Sequence, residues 1–174
     1  CGAVLSASQI GTDKKSERYE ALLNCHMETL YSFAMLVNGG ETPKNGADLS
    51  AKILRPVDPA LPNMPLSTPE KKIKDWLRSP HDVTVADVVR QFSKVPYGWS
   101  DYATIYYLNE LVRRHLYTFN YNNNPNVSCE DTARNIVRDA SKFTVEKAKA
   151  ISQEVLNDFI DAWKHIFNVM SVKG

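Results

Sequence analysis

This 174-residue chain contains few side chains of the types that catalyse reactions or bind metals, and these are scattered along the sequence. The four histidines show no metal-ligand spacing; they are His26, His81, His115 and His165. The sequence contains no nucleotide-binding glycine motif, no zinc-protease motif and no nucleophile elbow. Cys25 and His26 are adjacent, but neighbouring helical residues do not face each other, so they do not make a nucleophile–base pair. We therefore predict no catalytic residue, no metal site and no cofactor in this segment.

The cysteines and the first residue bear on the cellular compartment of the protein and on whether the chain is a segment of a longer one. Cys1, Cys25 and Cys129 are odd in number and widely spaced, which argues against a disulfide framework or a zinc ribbon. Cys1-Gly2 leaves open the lipidated start of a bacterial surface lipoprotein. The favoured expectation is a segment excised from a longer protein, because the chain starts at Cys1 rather than at Met.

Composition and charge exclude several classes of protein. The chain is 43% hydrophobic and 24% charged, and 21 basic residues balance 20 acidic ones to a net charge of +1. These values are typical of a globular domain and exclude a globally basic nucleic-acid binder and a low-complexity chain. No apolar run approaches the roughly 18 residues of a membrane span. We therefore expect no membrane partner.

The first predicted unit, residues 1–67, combines a helix with a proline-rich segment. Apolar side chains at helical spacing predict a helix from Arg18 to Val37, which the sequence Asn38-Gly39-Gly40 ends. Five prolines between residues 41 and 67 exclude a long helix or a central strand. This stretch is predicted to be a linker or an extended wrapping segment that packs through Leu49, Ile53 and Leu54.

The second predicted unit, residues 68–128, has the element order of a winged helix. Helices are predicted to start at Thr68, Thr84 and Ser100, the third running to about His115. The β-forming stretch 116–121 precedes an asparagine-rich turn, which predicts a hairpin that returns through 127–128. Three helices and a hairpin make a helix-turn-helix with a β-wing. The predicted fold class is mainly α, with a winged-helix-like module.

The third predicted unit, residues 129–174, holds two helices. One is predicted over Glu130 to Ala140, and a longer one begins at Thr144. The apolar residues of the long helix cover a wide arc, so it packs between two partners within the fold or docks on another domain. The predicted partner face contains Phe159, Trp163 and Phe167.

A winged helix makes DNA binding an alternative function. The contacts would come from the third helix and the wing; they are Thr104, Tyr107, Arg113, Arg114, Tyr121 and Asn123. Residues 69–126 contain eight basic and six acidic side chains, a difference of two. This is a weak electrostatic footprint, because affinity for DNA comes largely from neutralised phosphates. Protein docking is therefore the first hypothesis and DNA binding the second.

The motif turn, Pro96-Tyr97-Gly98-Trp99, opens the third helix and carries a family resemblance. The stretch from Thr84 to Phe119 resembles the non-catalytic part of the large P-loop ATPase of BREX (bacteriophage exclusion) systems, the BrxC/PglY type. The resemblance implies a large ATPase of phage defence in the bacterial cytoplasm as the parent protein, and its other domains or other defence proteins as partners. From the residues alone, Tyr97 and Trp99 are expected to anchor the helix, and Gly98 to supply a conformation that side chains disfavour.

Overall fold

The computed structural model describes residues 14–37, 41–78, 83–125, 127–149 and 153–167, with side chains of the last range described at 157–165. Its elements in chain order are α1 (Lys15–Leu30), α2 (Gly46–Leu54), α3 (Thr68–Trp76), β1 (Val83–Thr84), α4 (Val85–Phe92), α5 (Asp101–Arg113), β2 (Tyr117–Tyr121), α6 (Cys129–Asn135), β3 (Phe143–Lys147) and α7 (Gln153–Phe167). Short 3-10 turns occupy Ala34–Val37, Leu61–Asn63 and Ala140–Lys142. The fold is mainly helical with a small antiparallel sheet. Cys1 and the predicted stop at Asn38–Gly40 lie outside the described residues.

Side-chain caps set the starts of the three central helices. The Ser67 hydroxyl accepts from the backbone N–H of Glu70, and the Glu70 carboxylate accepts from the backbone N–H of Ser67, which forms a capping box before α3. Thr84 caps α4 in the same way, and the Ser100 hydroxyl accepts from the backbone of α5. The three predicted starts are confirmed, with the cap of α3 one residue before Thr68.

The small sheet has the strand order β1-β3-β2, and both pairings are antiparallel. Val145 of β3 lies opposite Val83 on one side and Phe119 on the other. The predicted hairpin forms only in part: Tyr121 bridges to Asn124, and the Val127 N–H donates to the Phe119 carbonyl at 3.3 Å. The strand that pairs with β2 along its length is β3, and α6 lies in the connection between them. The last long helix is present, but its predicted start at Thr144 was wrong, because Phe143–Lys147 form β3 and the helix begins at Gln153. Phe143 and Val145 alternate with less buried neighbours, which is the period of a strand rather than of a helix.

Helix α5 lies at the centre of the fold. Nine of its 13 residues are buried, and it contacts α2, α3, α4 and β2. Leu108 and Leu111 belong to one buried cluster that also includes Val37, Phe92 and Phe143. This cluster takes side chains from all three predicted units, so they share a hydrophobic core.

The wrapping segment, residues 41–67, covers one face of α5. Instead of remaining extended, it forms α2 between Pro43 and Pro56, since the intervening residues contain no proline. Leu49 and Ile53 are fully buried, as predicted, whereas Leu54 is half exposed. The segment is therefore part of the folded core rather than a linker.

The outermost helices contribute little to that core. Helix α1 ends at Leu30, earlier than predicted, and contains no buried residue. Helix α7 exposes large apolar side chains along its described part. Neither of these helices places a residue in the buried cluster formed by the described residues.

Candidate functional site

The motif turn joins the end of α4 to the start of α5. The backbone N–H groups of Tyr97 and Gly98 donate to the Lys94 carbonyl at 2.8 and 3.0 Å. The backbone N–H of Trp99 donates to the Phe92 carbonyl at 2.8 Å. These bonds close a tight turn that fixes the direction in which α5 begins.

Gly98 is required in this turn for two reasons. Its φ of +63° lies in the left-handed region that side chains disfavour. A Cβ built on Gly98 would also lie 2.6 Å from Cδ1 of Tyr31, well inside contact distance. The expectation that Gly98 supplies a special backbone conformation is confirmed.

The motif turn holds the residues that follow α1 against the core. The indole N–H of Trp99 donates to the Phe33 carbonyl at 2.9 Å, and the Phe33 N–H donates to the Pro96 carbonyl at 3.1 Å. The Tyr97 ring packs between Phe33 and Phe92, with centroid distances of 5.4 and 4.5 Å. Trp99 is only 2% exposed. The motif turn is thus an internal docking point for the chain's own N-terminal region.

Arg114, at the end of α5, ties three parts of the chain together. Its Nε donates to Glu70 Oε1 at 2.6 Å, and its Nη1 donates to the carbonyls of Leu61 and Met64 at 2.6 and 2.7 Å. The Arg114 and Glu70 side chains are both buried. A planar guanidinium suits this arrangement, because its donors diverge toward several acceptors.

Arg113 holds α2 in a similar way. Its guanidinium donates to the carbonyls of Lys52 and Pro56 at 3.0 and 2.8 Å. Glu110 lies 3.5 Å from Arg55 and 3.6 Å from Arg113, measured between the nearest N and O atoms. Burial raises the pKa of Glu110, while the nearby charges of Arg113 and Arg55 lower it by less.

The predicted DNA contacts of α5 are not displayed to solvent. Thr104, Arg113 and Arg114 are buried, so the prediction that α5 exposes them was wrong. The physical reason is that backbone carbonyls of the wrapping segment need hydrogen-bond donors, and the two arginines supply them. Tyr107 is half buried, with its ring 5.0 Å from that of Tyr106.

Tyr121 and Asn123, the two predicted DNA contacts in the wing, lie in different environments. The Tyr121 hydroxyl donates to Asp139 Oδ2 at 2.9 Å, so this side chain holds the connection between β2 and β3. Asn123 is exposed and has a φ of +63°, as the turn prediction requires. Of the six predicted DNA contacts, Asn123 alone is exposed.

Two apolar faces remain open to solvent. On α1, Tyr19, Leu22, Leu23, Met27 and Leu30 are between 37% and 65% exposed. On α7, Phe159 is 61% and Trp163 45% exposed, and their ring centroids are 6.1 Å apart. The side chain of Phe167, the third member of the predicted partner face, lies outside the described residues.

A groove of about 440 Å³ continues the open face of α1. Met27, Tyr31 and Met35 line it together with Gly98 of the motif turn. Sequence reasoning missed the α1 face and this groove, because the same spacing equally describes a helix packed on a core. It also missed Glu70, whose pairing with Arg114 joins residues 44 positions apart.

Within the described part of the chain, no cluster of three or more His, Cys, Asp or Glu side chains is placed to hold a metal ion. None of the described helices combines the length and the apolar character needed to cross a membrane. Comparison with family models, characterised proteins and solved structures gives no match to this chain.

Proposed function

We propose that this chain is a non-catalytic protein-interaction module, accessory to a larger protein, that docks through the open faces of α1 and α7. The observation that carries the proposal is the exposure of Leu22, Leu23, Phe159 and Trp163 on helices outside the core. Contiguous exposed apolar side chains are typical of protein interfaces. Aromatic anchors such as Trp163 supply much of the binding energy in such interfaces.

The element order supports a winged-helix-like module as the scaffold. The elements follow one another in the order α3, β1, α4, α5, β2 and β3, which is the order of that fold, and α6 takes the place of the tip of the wing. Arg113 and Arg114, the basic residues of α5 that could bind phosphates, donate instead to carbonyls of α2 and of the residues that follow it. This arrangement favours docking of proteins over reading of DNA by α5.

The proposed parent is the large ATPase of BREX phage-defence systems, on the strength of the resemblance at the motif turn. In that setting the module would contact other domains of the same protein or other defence proteins in the bacterial cytoplasm. No nucleotide-binding motif occurs in the sequence, so the proposed role is non-catalytic.

The docking proposal is tested by expressing this chain separately from the remainder of its open reading frame and measuring binding by calorimetry. Phe159→Ser and Trp163→Ser are expected to weaken binding at least about tenfold, since each removes an aromatic anchor. Lys164→Ser is the matched control, because Lys164 lies on the same helix and pairs with Asp161 at the surface. Equal binding by the wild type and all three variants would contradict docking through α7.

DNA binding through the wing is the second candidate, favoured by a cleft beside β2 and β3 that contains basic side chains. His115, Asn120, Lys147 and Lys149 line this cleft of about 740 Å³, and Lys147 and Lys149 are exposed. Fluorescence anisotropy with duplex DNA at two salt concentrations tests it. Tight binding that falls steeply with salt and weakens in Lys147→Ala would favour this function over protein docking.

A further inference from the structure

The apolar face of α1 points away from the side of the helix that the other described residues cover. The partly covered residues are Arg18, Ala21 and Cys25, which follow one another at helical spacing. The apolar residues Tyr19, Leu23 and Leu30 lie on the opposite side and are more exposed. This is the reverse of a helix packed on its own core, so the face is available to a partner.

The spacing of the face is that of a coiled-coil seam. With Tyr19 and His26 at d positions, Ser16, Leu23 and Leu30 fall at a positions, and Leu22 and Met27 fall at g and e. The remaining b, c and f positions are mostly polar; they are Lys14, Glu17, Arg18, Ala21, Asn24, Cys25 and Glu28. An a/d seam widened by apolar e and g residues fits another helix with the same repeat.

The charges beside the seam identify that helix. Lys15 occupies a g position and Glu20 the e position five residues later, and both side chains are exposed. In a parallel, in-register helix pair, each g residue faces the e residue of the next heptad in the other helix. Lys15 of each copy therefore meets Glu20 of the other, and Leu22 meets Met27.

We propose that α1 pairs in parallel and in register with α1 of a second copy of this chain. The inference rests on the proposed function, because it gives one of the two docking faces a partner. Antiparallel pairing about Leu23 would place Lys15 near residue 31 of the other helix and would lose the contact with Glu20. Two heptads with Ser16 and His26 in the seam make a short pair, so dissociation constants on the order of 1–100 μM are expected.

Sedimentation velocity of the full chain over roughly 1 to 500 μM measures the pairing, a range set by the affinity expected of a short seam. Lys15→Glu and Glu20→Lys are each expected to weaken self-association roughly tenfold, because each replaces two attractions by repulsions. An equimolar mixture of the two variants is expected to restore association as a heterodimer. Only the mixed pair sets the introduced glutamate against the introduced lysine while it keeps one native contact between Lys15 and Glu20. Circular dichroism checks that α1 stays folded in each variant.

Asn24→Lys is the matched control, because it adds a charge at an exposed b position outside the seam. It is expected to leave the dissociation constant unchanged. A chain that stays monomeric at the highest concentration overturns the pairing, and if it still binds the rest of its reading frame, the proposed docking function stands. Dimers that ignore the charge variants but dissociate in Trp163→Ala also overturn it, since pairing then runs through α7.

Discussion

The Nε atom of Arg114 lies 2.6 Å from Oε1 of Glu70, and both side chains are buried where α5 meets α3. The same guanidinium donates to the carbonyls of Leu61 and Met64. One arginine thus satisfies a buried carboxylate and two backbone carbonyls of the wrapping segment. A buried charge left without its partner is strongly destabilising, whereas an exposed ion pair contributes little.

Arg114→Ala should lower the free energy of unfolding by about 3–5 kcal/mol, because Glu70 is left buried without its counter-charge. Arg114→Lys should recover only part of this loss, since an ammonium group does not have the divergent donors of a guanidinium. Urea denaturation at neutral pH measures both effects. Arg90→Lys is the control; its pair with Asp87 is at the surface, and a change under about 0.5 kcal/mol is expected.

Gly98→Ala should destabilise the fold by about 1–3 kcal/mol through its left-handed backbone alone, and by more if the Tyr31 ring does not move. Adding Tyr31→Ala should relieve the steric part, because the Cβ would otherwise lie 2.6 Å from the Tyr31 ring. Thermal unfolding of both single variants and the double variant separates the two parts. Gly46→Ala serves as the control, since its Cβ would lie 3.9 Å from Tyr102. A neutral Gly98→Ala would contradict the geometry of the motif turn.

Glu110 gives the stability a particular dependence on pH. Its pKa is raised above 4.5 in the folded state, chiefly by burial, so the folded chain holds this proton more tightly than the unfolded chain. The stability that this proton contributes is complete below the unfolded pKa and is lost as the pH rises through the folded pKa. Because glutamine does not titrate, Glu110→Gln removes this pH-dependent loss of stability.

Urea denaturation of Glu110→Gln at pH 4.5 and at pH 7 tests that assignment. We compare the free energy of unfolding of the variant with that of the wild type at each pH. The difference should favour the variant more at pH 7 than at pH 4.5. Arg55 and Arg113 oppose the shift, so they fix its size but not its direction. An identical pH dependence in the two proteins would mean that Glu110 titrates as it does in the unfolded chain.

Local signals predicted the central helices correctly, and long-range pairing accounts for the errors. Ser100 and Thr84 cap helices because their hydroxyls bond to N–H groups three residues away, which a sequence reveals directly. The pairing of Phe119 with Val145 spans 26 positions, and the intervening α6 gives no sign of it. Arg113 looked like a surface residue because charge usually means exposure; its acceptors, the carbonyls of Lys52 and Pro56, are backbone atoms that no side-chain pattern marks.

Trp99 and Trp163 allow a direct comparison of a core anchor with a docking anchor. Trp99 is 2% exposed and donates to the Phe33 carbonyl, so Trp99→Ala should lower the free energy of unfolding by about 3–5 kcal/mol. Trp163 is 45% exposed, and Trp163→Ala should lower it by less than about 1.5 kcal/mol, because much of its surface stays in water in the folded chain. Chemical denaturation of the two variants under identical conditions gives the comparison. Similar losses of stability in the two variants would place Trp163 in the core and remove it from the docking face. A much smaller loss in Trp163→Ala is the result expected if Trp163 is available to a partner.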